Sequence, residues 1–166
     1  YAYWAVFGGC FGHTYGHNSV MQFIRPGLNA SFGAEKPWWE AMNDPGYNQM
    51  KYLKWLMLCL PFTERVADQS VIAGSNGERY DRNIATRGND YLLVYNYSGK
   101  PMDIDLTKIS GKKKNVWWMN PANGTLTYVG EMDSKVHTFT YDAAYLRGSD
   151  RVLIAIDDDQ HYLSKN

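Results

Sequence analysis

The feature that most restricts the fold of this sequence is a change in hydrophobic period at residues 62–69. Before this segment, apolar residues recur every three or four positions along residues 47–60, which is the spacing of one helix face. After it, apolar and polar residues alternate in short runs, as in strands with one buried face. Because residues 62–69 are themselves polar, we predict a linker there between two domains, residues 1–61 and residues 70–166.

The second domain is predicted to be a small antiparallel β-sandwich. Its alternating segments recur about every ten residues and are separated by turn dipeptides, of which Asn123-Gly124 is the strongest hairpin signal. The apolar residues of the segment MDIDL, at positions 102, 104 and 106, are expected to face the core. Trp117 and Trp118 would lie on opposite faces of one strand, one in the core and the other available to a partner or to the first domain; we favour the domain interface. The predicted strands span residues 83–87, 91–97, 102–106, 115–119, 125–129, 136–141 and 151–156.

Prolines mark two helix starts in the first domain. Pro37 is predicted to open a short helix, and Asp44 to cap a longer helix that begins at Pro45 and ends before Pro61. Residues 1–10 are apolar and uncharged, which fits the buried end of another helix that leads into a glycine break. The inward stripe of the longer helix is predicted to consist of Tyr47, Met50, Leu53, Met57 and Leu60.

The stretch that most resembles a binding site is residues 9–22, GCFGHTYGHNSVMQ. Its glycines allow the backbone to approach a ligand closely, and its histidines, tyrosine and asparagine supply hydrogen-bond donors and acceptors. Residues 12–16 fit a short, covered strand with His13 and Tyr15 on one face. The long irregular segment that follows, residues 17–36, is typical of functional loops.

His13 and His17 form an HxxxH pattern, which on a helix would direct both rings at one metal ion. The neighbouring glycines disfavour a helix, and on a strand the two residues would lie about 13 Å apart at ~3.3 Å per residue. We therefore predict no metal site. His13 is expected to be a hydrogen-bonded residue inside its domain or a ligand contact, and His17 a contact for hydroxyl groups of a ligand. The sequence contains no phosphate-binding or nucleophile-elbow pattern, so no cofactor is predicted.

The acidic residues near this stretch have structural explanations. Asp44 fits a helix N-cap, and Glu35 and Glu40 fit the first turn of a helix, where negative charge is favourable. We therefore assign no catalytic residue in this chain.

Three further features are predicted to be structural. Cys10 and Cys59 lie in apolar surroundings and are expected to be buried free thiols, with a disulfide as the alternative. The three lysines at 112–114 are expected to form a solvated turn. The three aspartates at 157–159 are expected to form a solvated strand end or, alternatively, half of a calcium site.

Charge and hydropathy exclude two classes of partner. With 17 basic and 17 acidic residues, the chain has no net field to attract nucleic acid or an anionic membrane. The longest apolar candidate, residues 47–60, is interrupted by Lys51 and Lys54 and is too short to span a bilayer. The chain begins at Tyr1 without a methionine or a signal-like segment, so we expect it to be part of a longer protein.

Three stretches together resemble the C-terminal end of the apiosidase-like glycoside hydrolases: WAVFGGCFGHTYGHNSVMQF, PWWEAMNDPGYNQMKYLKWL and, in the β-domain, VWWMNPANGTLTYVGE. The resemblance covers essentially the whole chain, and HTYGHNS with its spacing to the Asp-Pro-Gly helix is its most specific part. Members of this group are (β/α)8 barrels of exported carbohydrate-degrading systems in gut bacteria, and some are labelled endoglucanase-related. Their small C-terminal module is named as a collagen-binding domain of a collagenase. The resemblance therefore implies an exported protein, periplasmic or on the cell surface.

The resemblance also implies an α+β multidomain fragment. Residues 1–61 would be the C-terminal end of a (β/α)8 barrel, with residues 12–16 as its eighth strand, and residues 70–166 a β-sandwich accessory domain. Barrel active sites form at the C-terminal ends of the strands. The residues that would line a sugar pocket are His13, Tyr15, His17, Asn18, Trp38 and Trp39.

Two functional hypotheses follow from the resemblance. In the first, the chain is the end of a glycoside hydrolase for complex plant-type glycans, and its partners are the glycan and the N-terminal barrel portion of the same protein. The catalytic carboxylates would then lie on earlier strands, so that this chain alone is inactive. In the second, the β-sandwich is a non-catalytic module that binds collagen or carbohydrate.

Overall fold

Helices occupy the first part of the chain and strands the second. The structure, a computed structural model, describes residues 1–141 and 149–164. The helices are α1 (Ala2–Phe7), α2 (Asn18–Met21), α3 (Trp38–Ala41) and α4 (Pro45–Cys59), with 3-10 turns at Phe62–Glu64, Gln69–Val71, Arg79–Asp81, Leu106–Lys108 and Tyr162–Ser164. The strands are β1 (Val66–Ala67), β2 (Ile72–Ala73), β3 (Ile84–Arg87), β4 (Tyr91–Asn96), β5 (Met102–Asp105), β6 (Lys113–Met119), β7 (Leu126–Asp133), β8 (Val136–Phe139) and β9 (Arg151–Asp157).

The strands form two antiparallel sheets, which confirms the predicted sandwich. Six strands pair in the order β1-β3-β4-β9-β6-β7 and three in the order β2-β5-β8. Every strand predicted for the β-domain is found, with its ends shifted by a few residues at most. The sequence did not reveal β1 and β2, because two residues are too few to show an alternation. Strand β1 lies within residues 62–69, the segment predicted as a linker, and pairs with β3.

The six-stranded sheet is covered on both faces, so the molecule has three layers. One face packs against the three-stranded sheet to form an inter-sheet core, and the other packs against α1 and α4 to form a helix–sheet core. All residues of β4 are buried, which explains its continuous run YLLVYN. The inter-sheet core includes Val71, Leu92, Val94, Ile104, Val116, Trp118 and Leu153. The helix–sheet core includes Phe7, Leu56, Tyr91, Leu93, Tyr95, Ile154 and Ile156.

Side-chain directions in the β-domain follow the predicted alternation. The apolar residues at 102, 104 and 106 are buried in the inter-sheet core. Trp118 is also buried there, whereas Trp117 packs half-buried against the helix–sheet core. The two tryptophans therefore lie on opposite faces, as predicted, with Trp117 on the face of the sheet that packs against α1 and α4.

Helix α4 has the predicted limits, and most of its predicted inward stripe is confirmed. It begins at Pro45 and ends at Cys59, before Pro61. Of the predicted stripe, Leu53 and Leu60 are buried in the helix–sheet core and Met50 and Met57 pack half-buried against it. Tyr47 is exposed, and the fully buried Leu56 was not part of the predicted stripe. Within the described residues, no helix is long and apolar enough to cross a membrane.

The covered strand predicted for residues 12–16 is absent. These residues have no regular secondary structure, and all except the half-buried Tyr15 are exposed. A strand needs a neighbour to accept and donate its backbone hydrogen bonds. No strand within residues 1–141 and 149–164 supplies one.

Three predictions of exposure were wrong. Lys114, expected in a solvated turn, is fully buried in β6, where its Nζ donates to the carbonyl of Gly111 and to Ser134 Oγ. Asp157, expected at a solvated end, is buried at the end of β9 and accepts a hydrogen bond from Ser110. Cys10 is exposed rather than buried.

Cys59 is closer than Cys10 to the burial that was predicted for both cysteines. Cys59 is partly buried, and both thiols are free. Burial raises the pKa of the Cys59 thiol to about 11, and its Sγ donates to the carbonyl of Leu56. Cys59 is therefore a poor nucleophile with a structural position at the edge of the helix–sheet core.

Candidate functional site

His17 connects the two ends of the loop that follows residues 12–16. It occupies the N-cap of α2, and its Nδ1 accepts a hydrogen bond of 3.1 Å from the backbone N–H of Ser19. Its Nε2 lies 2.9 Å from Oδ2 of Asp44. Because a backbone N–H can only donate, neutral His17 carries its proton on Nε2 and donates it to Asp44.

Asp44 has a different role from the one predicted. It occupies the N-cap position of α4, but its side chain makes no capping hydrogen bond. Its carboxylate instead accepts hydrogen bonds from His17 and from Nζ of Lys36, the latter at 2.6 Å. Lys36 first, and then His17, hold the pKa of Asp44 below its usual range. Asp44 is therefore an ionised anchor at neutral pH and does not serve as a general acid.

The loop between α2 and α3 is fixed by side-chain hydrogen bonds. The side-chain amide of Gln22 donates to the backbone carbonyl of Ser31 at 2.9 Å and accepts a hydrogen bond from the backbone N–H of Ser31 at 3.1 Å. Nδ2 of Asn18 donates to the carbonyl of Phe32 at 2.7 Å. At the end of the loop, the N–H of Trp38 donates to the carbonyl of Ile24. His17 and Asn18, both predicted ligand contacts, thus use polar atoms to hold the loop in shape.

The two predicted sugar-stacking tryptophans differ in exposure. Trp38 is half-buried and lies in edge-to-face contact with Phe23 on one side and Trp39 on the other, with ring centroids 6.2 Å and 5.8 Å away. Trp39 is 45% exposed. Trp39 can therefore offer a ring face to a ligand, and Trp38 supports it.

Tyr15 and His13, the remaining predicted site residues, contact α4 in different ways. Tyr15 packs over Gly46 at the start of α4, where a Cβ would come within 2.6 Å of the phenol oxygen. The exposed His13 lines a groove of about 660 Å³ along α4, together with apolar residues that include Phe11, Met57 and Phe62. Five of the six predicted residues thus belong to the loop and its contact with α4, and His13 belongs to the groove.

Several residues of this site had no signal in the sequence. Lys36, Ser31 and Phe32 contribute through contacts that depend on how the loop closes. The described residues contain no cluster of three His, Cys, Asp or Glu side chains that could hold a metal ion. With both nitrogens of His17 engaged and Asp44 ionised, the arrangement is suited to binding and positioning rather than to proton transfer.

Comparison with known proteins agrees with both parts of the chain. Residues 1–64 match the family described as "Apiosidase-like, catalytic domain", and residues 66–156 match "Putative collagen-binding domain of a collagenase". A solved structure named "Glycoside hydrolase" is 65% identical with a TM-score of 0.95, over 98% of this chain and 36% of its own. A crystal structure of a glycoside hydrolase family 5 protein from Bacteroides vulgatus ATCC 8482 is 67% identical, with the same TM-score and coverage. No curated protein matches the sequence.

The chain thus spans 36% of the length of these two solved proteins. Its matched regions meet between residues 64 and 66, at the start of β1. The sequence resemblance, both family matches and the two structures agree. The chain therefore belongs, through the larger of its two matched regions, to the family described as "Putative collagen-binding domain of a collagenase", and its first 64 residues match the apiosidase-like catalytic domain.

Proposed function

We propose that this chain is the C-terminal portion of an exported glycoside hydrolase that acts on complex plant-type glycans. In this proposal, residues 12–16 become the last strand of a (β/α)8 barrel once the preceding strands of the barrel pair with them, and the loop that starts at His17 forms one wall of the substrate pocket. The observation that carries the proposal is the bonding of His17 and Lys36 to Asp44, which fixes this loop to the start of α4. Barrel enzymes place their substrate loops at this end of a strand.

The proposal assigns the catalytic carboxylates to the part of the protein outside this chain. Glycoside hydrolysis needs two carboxyl groups, about 5–5.5 Å apart for retention or about 6.5–9.5 Å for inversion of configuration. Asp44 is engaged by Lys36 and His17, and Glu35 and Glu40 are exposed. This chain then contributes substrate binding. In the proposal Trp39 stacks on a sugar ring, Trp38 backs it, and the wall is completed by Tyr15, His17 and Asn18.

The apolar groove along α4 is proposed to receive the preceding part of the same barrel. It is lined by exposed side chains such as Phe11, Leu58 and Phe62. The solved relatives are nearly three times as long as this chain, so they contain a segment that can cover it. His13, which lines this groove, would then be a hydrogen-bonded residue inside the barrel rather than a substrate contact.

An assay of the full-length protein tests the proposal. We expect release of sugar from plant cell-wall polysaccharides or aryl glycosides, and an increase in KM for Trp39→Ala of about 3- to 10-fold from the loss of one stacked ring. Tyr128→Ala, which removes an exposed ring from strand β7, is the matched control. A correctly folded protein that releases no sugar from any of these substrates would contradict the proposal.

A second candidate function is binding of collagen or carbohydrate by the β-domain. The match of residues 66–156 to a family described by collagen binding favours it. The face of the large sheet that carries Tyr91, Leu93 and Ile154 is covered by α1 and α4, so a ligand would have to use another surface. The test therefore uses the complete chain, because a truncation at residue 70 would expose this apolar face. Retention on immobilised type I collagen or on insoluble xylan supports the candidate, and no retention on either excludes it.

A further inference from the structure

Two phenylalanines of the loop after α2 adopt a backbone conformation that bulky residues rarely occupy. Phe23 has φ 48° and Phe32 has φ 54°, both in the left-handed region. Their side chains are 67% and 88% exposed, so core packing does not explain the conformation. A strained backbone that presents an aromatic ring to the outside is a reason to look for a ligand.

Side-chain hydrogen bonds hold the backbone segments that carry these two residues. The Gln22 amide and the Ser31 backbone make the same pair of hydrogen bonds that two facing strand residues make. Phe23 directly follows Gln22, and Phe32 directly follows Ser31. The carbonyl of Phe32 accepts a further hydrogen bond from Asn18. The loop therefore fixes the backbone at both phenylalanines before any ligand arrives, which lowers the entropy cost of binding.

The same surface continues into α3. The ring of Phe23 meets Trp38 at an interplanar angle of 69°, and Trp38 meets Trp39 at 83°. Because both contacts are edge-to-face, the rings of Phe23 and Trp39 are not stacked face to face on Trp38. We call Phe23, Phe32, Trp38 and Trp39 the aromatic loop surface.

The charges near this surface exclude an anionic ligand. The Lys36 ammonium is bonded to Asp44, and the other charged residues of the loop and α3 are Arg25, Glu35 and Glu40, all exposed. One cation against two carboxylates gives no cluster that could recognise a phosphate or a polyuronate. Exposed aromatic rings without a positive field suit a neutral ligand with apolar C–H faces, such as an oligosaccharide of neutral sugars.

We propose that the aromatic loop surface is a subsite for a neutral oligosaccharide, and that Phe23 and Phe32 stack on its sugar rings. The identity of the ligand class rests on the proposed function. The proposal adds two specificity-determining residues to the tryptophans and predicts a preference for neutral over acidic glycans. Its competitor is that the rest of the catalytic domain covers these rings.

Binding measurements on the full-length protein separate these two possibilities. The probes are cellohexaose, xylohexaose, arabinohexaose and, as the acidic comparison, hexagalacturonic acid, each titrated by calorimetry. We expect at least one neutral probe to bind more tightly than hexagalacturonic acid. Phe23→Ala and Phe32→Ala should each weaken it about 3- to 10-fold, the range for loss of one ring contact. Phe32→Tyr should retain affinity, and Tyr128→Ala on the edge strand β7 should change nothing.

The opposite results overturn the proposal. These are no binding of any neutral probe, tighter binding of hexagalacturonic acid, or unchanged affinity in both alanine variants. A lower melting temperature with unchanged affinity would identify the rest of the catalytic domain as the occupant. If the full-length protein releases sugar and neither Phe23→Ala nor Phe32→Ala weakens binding, the subsite is excluded and the proposed function stands. If the two variants weaken binding but the protein releases no sugar, the subsite stands and the proposed function is excluded.

Discussion

The loop region, residues 17–44, and the β-domain are stabilised by opposite means. The loop depends on side-chain hydrogen bonds from His17, Asn18, Gln22 and Lys36, and it leaves large aromatic rings exposed. The β-domain depends on two apolar cores, one on each face of its large sheet. Apolar burial is non-directional and does not change with pH, whereas each loop contact depends on one polar group. The loop can therefore be altered at little cost in the free energy of unfolding, and the sheet cannot.

The largest effect is expected in the helix–sheet core. Leu56 of α4 is fully buried there, so Leu56→Ala should lower the free energy of unfolding by about 2–5 kcal/mol. Leu58→Ala, two residues away and 60% exposed, should change it by less than about 0.5 kcal/mol. Urea unfolding of the chain measures both, and similar losses would contradict the assignment of α4 to the core.

A smaller effect is expected at the turn where the β-domain meets α4. Gly124 has φ 73°, and a Cβ on it would lie 2.4 Å from Cδ1 of Tyr52. Gly124→Ala should therefore cost about 2–3 kcal/mol, from backbone strain and a collision with the ring. Gly27 in the loop has φ 86° with nothing near its Cβ position, so Gly27→Ala should cost only about 1 kcal/mol. Thermal unfolding compares the two, and equal losses would show that the contact with Tyr52 is unimportant.

The loop should respond locally to loss of the Gln22 amide. Gln22→Ala removes both hydrogen bonds to Ser31, so the Ser31 amide should exchange its hydrogen about five-fold faster, an effect of about 1 kcal/mol. Asn29→Ala, an exposed substitution in the same loop, should leave the rate unchanged. Hydrogen exchange followed by NMR provides the readout. If Gln22→Ala also accelerated hydrogen exchange in the sheet by a similar factor, the loop and the sheet would not be independent.

The smallest effect concerns pH. The pKa of Asp44 is lowered in the folded chain, so its contribution is complete above the ordinary carboxyl pKa of about 4 and is lost as pH falls through the lower folded value. The Ser19 amide, bonded to His17, should therefore shift in NMR spectra between pH 5 and pH 2. Asp44→Asn should remove this shift because an amide does not titrate, and Glu40→Gln should retain it. A wild-type profile in Asp44→Asn would exclude Asp44 as the titrating group.

Local signals account for what the sequence predicted well. Strand positions follow from alternation and turn dipeptides, and the limits of α4 follow from Pro45 and Pro61. The burial of Lys114 and Asp157 was not predictable, because it depends on the pairing of β6 with β9, strands far apart in the sequence. A run of like charges gives no indication that one of its members faces a core.

The candidate site was only partly predictable for a similar reason. The composition of residues 9–22 singled out His17 and Asn18, and both belong to the bonded loop. Their partners lie 27 and 14 residues away, and no pattern in the sequence connects them. The capping explanation for Asp44 was correct for its position but wrong for its side chain, because Lys36 and His17 satisfy the carboxylate instead.

The helix–sheet core is built from α1, α4 and the six-stranded sheet, which are synthesised at different times. Helix α4 leaves the ribosome before any strand of the sheet that covers it, and the central strand β9 is made last. Until then the cover on Leu53, Leu56 and Leu60 is incomplete, so the nascent chain exposes part of this apolar stripe. Completion of the β-domain therefore acts as a final folding step for the helices that precede it. A stop codon within β9 would remove the part of this cover that Ile154 and Ile156 supply and direct the chain towards aggregation or proteolysis.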